Sequence, residues 1–213
     1  MVTASPALKK DTLYIRVEDE TAFFISDNYF YKSDAYYRIV QNELEGRSVI
    51  PSSKEVIEAF VVPICLEKAQ MKDIPTLPWE VSYSYAPLPS IAYGIHYYSD
   101  PSDYSILRES EVAREVIRHI TNNGKYPFCY QPIPDTADVL PIVSIFGTTT
   151  SDQQEIQNLA RRVYEVFRVP FLSITAVYDG EAYRLSSLTN AKYSKLAAED
   201  RSLLRTFLEG NRT

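Results

Sequence analysis

The clearest alternation of apolar and polar positions lies between Val143 and Leu188. Ile142–Phe146 is an apolar run of strand length, and Gly147–Ser151 is rich in hydroxyls. After it, apolar residues recur at Ile156, Leu159, Val163, Val166 and Phe167, the three-and-four spacing of one helix face. Ser151 fits the N-cap of that helix. Asp152 and Glu155 follow in its first turns and Arg161, Arg162 and Arg168 later, the order of charge that the helix dipole favours, and Pro170 ends it. Two β-rich runs then meet at Asp179-Gly180, a dipeptide that predicts a two-residue type I′ hairpin. A short helix from Ser194 onward, carrying Leu196, Leu203, Leu204 and Phe207, closes a βαββα unit.

Upstream, Thr12–Val17 and Thr21–Ser26 are β-rich and joined by Glu18–Glu20, as a hairpin or as one bulged strand. Ser33 caps a predicted helix from about Asp34 to Glu45, with Gly46 as its left-handed terminator and Tyr36, Tyr37, Val40 and Leu44 toward the core. A second helix is expected to be capped by Ser53, with Val56, Ile57, Phe60, Val61 and Ile64 apolar, ended or kinked by Pro63. Ser110–Asn123 predicts a helix closed by Gly124, with Val112, Val116, Ile117 and Ile120 inward.

Between these helices the texture changes. Pro75, Pro78, Pro87, Pro89 and Pro101 punctuate a stretch holding Tyr83, Tyr85, Tyr93, Tyr97 and Tyr98, and the alternation in VSYSYA and IAYGIHYY favours short strands. The expected architecture is α+β: a mixed, largely antiparallel sheet with helices packed on it. It is read as a flexible N-terminus at 1–11 and a single domain at 12–213 with a Pro/Tyr-rich insertion at about 72–140.

Composition narrows the chemistry. The net charge of −6 repels a phosphate backbone and no Lys/Arg run offsets it, which argues against nucleic acid as partner. No apolar run is long enough to span a membrane, so none is expected as partner. Cys65 and Cys129, in no paired motif, read as two reduced buried thiols of a cytoplasmic protein, or as one disulfide if the fold brings them together. His96 and His119 have no second ligand at metal spacing, and no nucleophile elbow, HExxH or glycine-rich dinucleotide turn is present. No catalytic residue, metal or cofactor is therefore assigned.

Two segments resemble the domain that precedes the catalytic part of RimK-like ATP-grasp ligases. FYKSDAYYRIVQNELEGRSVIPSSKEVI, residues Phe30–Ile57, is similar to that family's tyrosine-bearing helix, turn and Pro-Ser cap. IFGTTTSDQQEIQNLARRVYEVFRVPFLSI, residues Ile145–Ile174, resembles its Phe-Gly loop, Leu-Ala-Arg-Arg helix and entry to a closing hairpin. The resemblance implies an accessory α+β module that helps a ligase attach an amino acid or peptide to a carboxylate. The chain ends at Thr213, before a catalytic domain could begin, so a stand-alone copy is expected.

Candidate binding residues follow. The loop Gly147, Thr148, Thr149, Thr150 and Ser151 opens toward a helix N-terminus, whose free N–H groups suit a carboxylate or phosphate, or it is a plain strand-to-helix connection. Arg161 and Arg162, about 100° apart on the helix, would bind an anionic partner or simply be solvated. The leading expectation is a non-catalytic module that binds a separate ATP-grasp ligase or its peptide or protein substrate. The alternative is an assembly protein that docks through Tyr83, Tyr85, Tyr93, Tyr97 and Tyr98.

Overall fold

The computed structural model describes residues 8–96 and 99–209. Strand β1 (Tyr14–Glu18) and strand β2 (Thr21–Ile25) pair antiparallel, with Glu18 opposite Thr21. The N-terminal runs are thus a hairpin. Its two turn residues, Asp19 and Glu20, both have positive φ, 44° and 68°, as a two-residue type I′ turn requires. Helix α1 (Asp34–Leu44) follows, with the Ser33 hydroxyl accepting the Tyr36 N–H and Gly46 at φ 76° behind it. Strand β3 (Ser48–Ile50) returns parallel to β2, completing a βαβ unit in the sheet order β1-β2-β3. The inward face of α1 is Ala35 and Ile39, not the expected stripe. Tyr37 and Leu44 are exposed, because the sheet meets the helix one residue away from the stripe that the larger side chains mark.

Helix α2 (Ser53–Phe60) and helix α3 (Val62–Met71) divide what reads as one kinked helix, and Pro63 sits in the first turn of α3, where its missing N–H costs nothing. The cap of α2 is Ser52 rather than Ser53. Its hydroxyl accepts the Glu55 N–H at 3.1 Å while the Glu55 carboxylate accepts the Ser52 N–H at 2.7 Å, a reciprocal capping box.

The remaining elements are β4 (Glu80–Ser82), β5 (Ser90–Gly94), β6 (Ser105–Leu107), α4 (Ser110–Ile120), β7 (Phe128–Pro132), β8 (Asp138–Ile145), α5 (Gln154–Phe167), β9 (Phe171–Tyr178), β10 (Tyr183–Thr189), a 3-10 turn (Tyr193–Lys195) and α6 (Ala198–Glu209). They make the fold α+β with the expected C-terminal βαββα order. The strands form three sheets rather than one: β1-β2-β3, β10-β9-β8 and β4-β7-β5-β6. The four-stranded sheet is antiparallel throughout and holds the Pro/Tyr-rich stretch.

The chain divides into two compact units: Met1–Val56 with Ile142–Ser173 and Asn190–Thr213, and Ile57–Pro141 with Ile174–Thr189. This is a different partition from one domain with an insertion at 72–140, since residues 174–189 of the closing hairpin share a unit with that stretch. In the first unit, Ile25, Ile145, Phe171, Tyr193 and Leu204 form the core, and the Phe171 and Tyr193 rings stack at 5.2 Å. In the second, Leu66, Ile91, Tyr93, Cys129 and Val177 form one cluster, while Leu107, Ala113, Ile117 and Phe128 form another beneath α4. Ala113 and Ile117, not Val112, carry the buried face of α4.

Candidate functional site

The Phe-Gly loop is a tight turn before it is anything else. The Ile145 N–H donates to the Thr148 carbonyl at 2.8 Å and the Thr148 N–H donates back at 2.9 Å. Phe146 and Gly147 between them have φ of 49° and 75°, the left-handed pair of a type I′ reversal. Glycine is needed at 147 for a second reason. A Cβ there would stand 2.9 Å from the Tyr164 Cβ and 3.3 Å from the Arg161 Cα, so the turn lies directly on α5. The Phe146 ring stacks on Phe207 at 4.9 Å and meets Tyr164 edge-on.

The hydroxyls beyond the turn have partners. Thr149 Oγ1 accepts the Ser151 N–H, and Ser151 Oγ accepts the Gln153 N–H. Thr150 Oγ1 donates to Asp200 Oδ1 at 2.8 Å, and Asp200 is buried. Ser151 does not cap α5. The N-cap is Gln153, whose side chain makes no capping hydrogen bond, because the Thr149 and Ser151 turns lengthen the approach by two residues. Asp152, Glu155 and Asp200 make this end of the helix acidic. On α5, Arg161 is exposed and donates to Asn158 Oδ1 at 3.2 Å, and Arg162 is half-buried.

The proposed tyrosine surface separates. Tyr83 and Tyr85 are exposed in the segment after β4. Tyr93 is 1% exposed and belongs to the core, where its hydroxyl meets Ser186 Oγ at 2.6 Å, so it leaves the docking set. Both faces of β5 are covered, since all of it except Gly94 is buried, so alternation leaves no side of this strand for a tyrosine to present to a partner. Tyr97 and Tyr98 lie outside the described residues.

Cys65 and Cys129 are free, buried thiols, and burial pushes both up, Cys129 to about 12. Neither is poised as a nucleophile at neutral pH. His119 is exposed at the end of α4, and His96 packs against the Tyr126 ring at 5.5 Å. Among the described residues no cluster of His, Cys, Asp and Glu is arranged to hold a metal ion, and no helix is long and apolar enough to cross a membrane.

The concave surface that sequence reasoning missed lies in the first unit, between β1 and α1. A groove of about 470 Å³ has a floor of Ile15, Val17, Ala22 and Phe24. Register explains that floor: Ile15 faces Phe24 and Val17 faces Ala22, so all four point to one side of the sheet. Ala22 and Phe24 are covered, whereas Ile15 and Val17, on the edge strand, are 54% and 68% exposed. The rim is Arg38, Gln41, Asn42, Glu45 and Arg47, with Arg47 held to the Glu45 carboxylate at 2.8 Å. The one signal in the sequence was the apolar alternation of Ile15 and Val17, which reads as burial unless the neighbouring helix is known to stop short.

At the C-terminal end of β2 sits a buried carboxylate. Asp27 is 2% exposed, accepts the Asp11 N–H at 3.0 Å, and its backbone carbonyl accepts from Lys192 Nζ. Burial raises its carboxyl above the usual range, against the Asp11 hydrogen bond and the Lys192 charge.

Residues 107–207 match the family model described as the RimK-like ATPgrasp N-terminal domain. The match includes the Ile145–Ile174 segment and not Phe30–Ile57. No curated protein matches the sequence. Among solved structures, the chain is similar to a RimK domain ATP-grasp protein from Sphaerobacter thermophilus, with 16% identity and a TM-score of 0.60 over 81% of this chain and 75% of that one. It is also similar to the D-alanine-D-alanine ligase of Helicobacter pylori, with 8% identity and a TM-score of 0.59 over 82% and 68% of the two chains. A third is the ATP-grasp ligase PsnB in complex with a minimal precursor, with 10% identity and a TM-score of 0.53 over 89% and 80%. At these identities the structures establish a shared fold. The Phe-Gly turn seated on its Leu-Ala-Arg-Arg helix thus lies within a segment, residues 107–207, that matches the RimK-like ATPgrasp N-terminal domain.

Proposed function

We propose that the chain is an accessory module of an ATP-grasp ligase system, binding the ligase or the peptide or protein that the ligase modifies. The observation that carries this reading is the groove beside β1. Its floor is apolar, its rim holds charges of both signs, and it runs along an edge strand whose outer side has no partner strand among the described residues. Such a surface suits an extended peptide better than a compact polyanion. The match of residues 107–207 to the family model supplies the context, and PsnB, an ATP-grasp ligase of similar fold, is solved with a minimal precursor bound.

The residues first singled out have a smaller part in this reading. Gly147 serves packing, and the Thr150 hydroxyl is directed at a carboxylate, which disfavours an anion at that point. Arg161 remains the exposed cation of the family motif and a candidate contact to an acidic partner.

The test is binding and turnover with a cognate ATP-grasp ligase and its peptide. Adding the chain should change ligase turnover, and Val17→Asp together with Ile15→Asp should abolish the change while leaving the fold intact. Unchanged turnover with no measurable binding to ligase or peptide would overturn the proposal, as would ligation by the purified chain alone.

A further inference from the structure

Helix α3 has two unlike sides. Val62, Cys65, Leu66 and Ala69 are buried in the second unit, and the helix packs on β10. Ile64 and Met71, seven residues apart and therefore nearly in line on the outer side, are 43% and 74% exposed. They line an open groove of about 540 Å³ with Pro63 and Trp79, edged by Glu58, Glu67, Lys68 and Lys72. A contiguous exposed apolar patch rimmed by polar residues marks an interaction site, which single scattered residues do not.

We propose that this face of α3 binds the same face of a second copy, with the two helices antiparallel. The argument is self-complementarity. A twofold contact must place each residue of the patch against another residue of that same patch. In an antiparallel register that sets Ile64 against the partner's Met71, Glu67 falls against the partner's Lys68, and both contacts occur twice. The Lys68 ammonium already bonds Glu58 at 2.7 Å, which holds its side chain in place along the helix. The chain as a whole carries a net charge of −6, yet this patch has two carboxylates and two ammonium groups, so two copies meet here without net repulsion. Two helical turns make a small interface, below the roughly 800 Å² per partner of a standard one, so association is weak and depends on concentration. This inference is independent of the ligase reading.

Trp79, the single tryptophan of the chain, lines the groove and reports on its closure. Sedimentation equilibrium should show a monomer–dimer equilibrium, and Trp79 emission should shift to the blue as concentration rises. Met71→Glu and Ile64→Lys, both at exposed positions, should raise the dissociation constant at least roughly tenfold and remove the shift. Glu67→Lys should weaken the dimer, and Glu67→Lys combined with Lys68→Glu should restore it, since the pair is again self-complementary. A monomer at every attainable concentration would overturn the proposal. So would a dimer indifferent to Met71→Glu and Ile64→Lys, or a Trp79 shift seen only when a ligase or another macromolecule is added.

Discussion

Gly147 and Tyr164 approach so closely that a methyl group on the glycine would lie 2.9 Å from the tyrosine Cβ. The contact ties the Phe-Gly turn to α5, so that in this chain the turn and the Leu-Ala-Arg-Arg helix are each the packing surface of the other. Gly147→Ala must meet both this clash and a φ of 75°. It should lower stability by about 2–4 kcal/mol, the sum of a left-handed penalty and overpacking. Urea denaturation with unchanged m would confirm a stability loss, and a loss below about 1 kcal/mol would mean that the turn can lift off the helix.

Asp179 organises the β9–β10 connection. Its carboxylate accepts the N–H groups of Ala182 and Glu181 and the Arg184 side chain at 2.7–3.0 Å. The Ala182 hydrogen bond first, then Arg184, hold its carboxyl down at about 2. A carboxyl depressed in the fold stabilises fully above its unfolded value and loses that contribution as pH falls through about 2. Asp179→Ala should cost about 1–2 kcal/mol at pH 7, and the difference from the parent should shrink between about pH 4 and pH 2. Thermal melts across that range check both points.

Asp27 has the opposite sign. Burial raises its carboxyl, so the fold prefers the protonated form, and stability is lost as pH rises from the unfolded value through the folded one. Asn keeps the acceptor for the Asp11 N–H and removes the charge. Asp27→Asn should therefore be at least as stable as the parent at pH 7, with a flatter stability profile across the carboxylate range. A marked loss at pH 7 would show that the Lys192 charge outweighs burial.

Tyr93, Ser186 and Gln131 form a chain of hydrogen bonds with no solvent access. Tyr93→Phe leaves Ser186 Oγ without its phenolic partner and should cost about 1–3 kcal/mol, although the ring itself still packs. The exposed Tyr83→Phe and Tyr85→Phe should stay within about 0.5 kcal/mol. Chemical denaturation of the three variants separates a core tyrosine from a surface one.

Thiol titration checks the cysteines. With both groups buried and pushed up, neither Cys65 nor Cys129 should react with a thiol reagent at pH 8 until denaturant is added. Reaction of either in the native state would reopen a nucleophilic role.

What the amino-acid order determined by itself was local. α5 was legible because five apolar residues recur on one face and Pro170 stops the chain, and Ser33 and Gly46 bracketed α1 for equally local reasons. Long-range pairing decided the rest. Asp179-Gly180 carries the strongest hairpin signal, yet only Gly180 is left-handed there and the turn spans 179–182, while Asp19-Glu20, with no glycine, makes the two-residue turn. Each pair adopts what the strand register on either side demands. The same holds for Ile15 and Val17, whose exposure depends on where α1 ends over its sheet, and for Tyr93, drawn inward by its place between β6 and β7. Periodicity names the side of an element that is apolar, but whether that side is covered depends on a neighbour that folding brings from far along the chain.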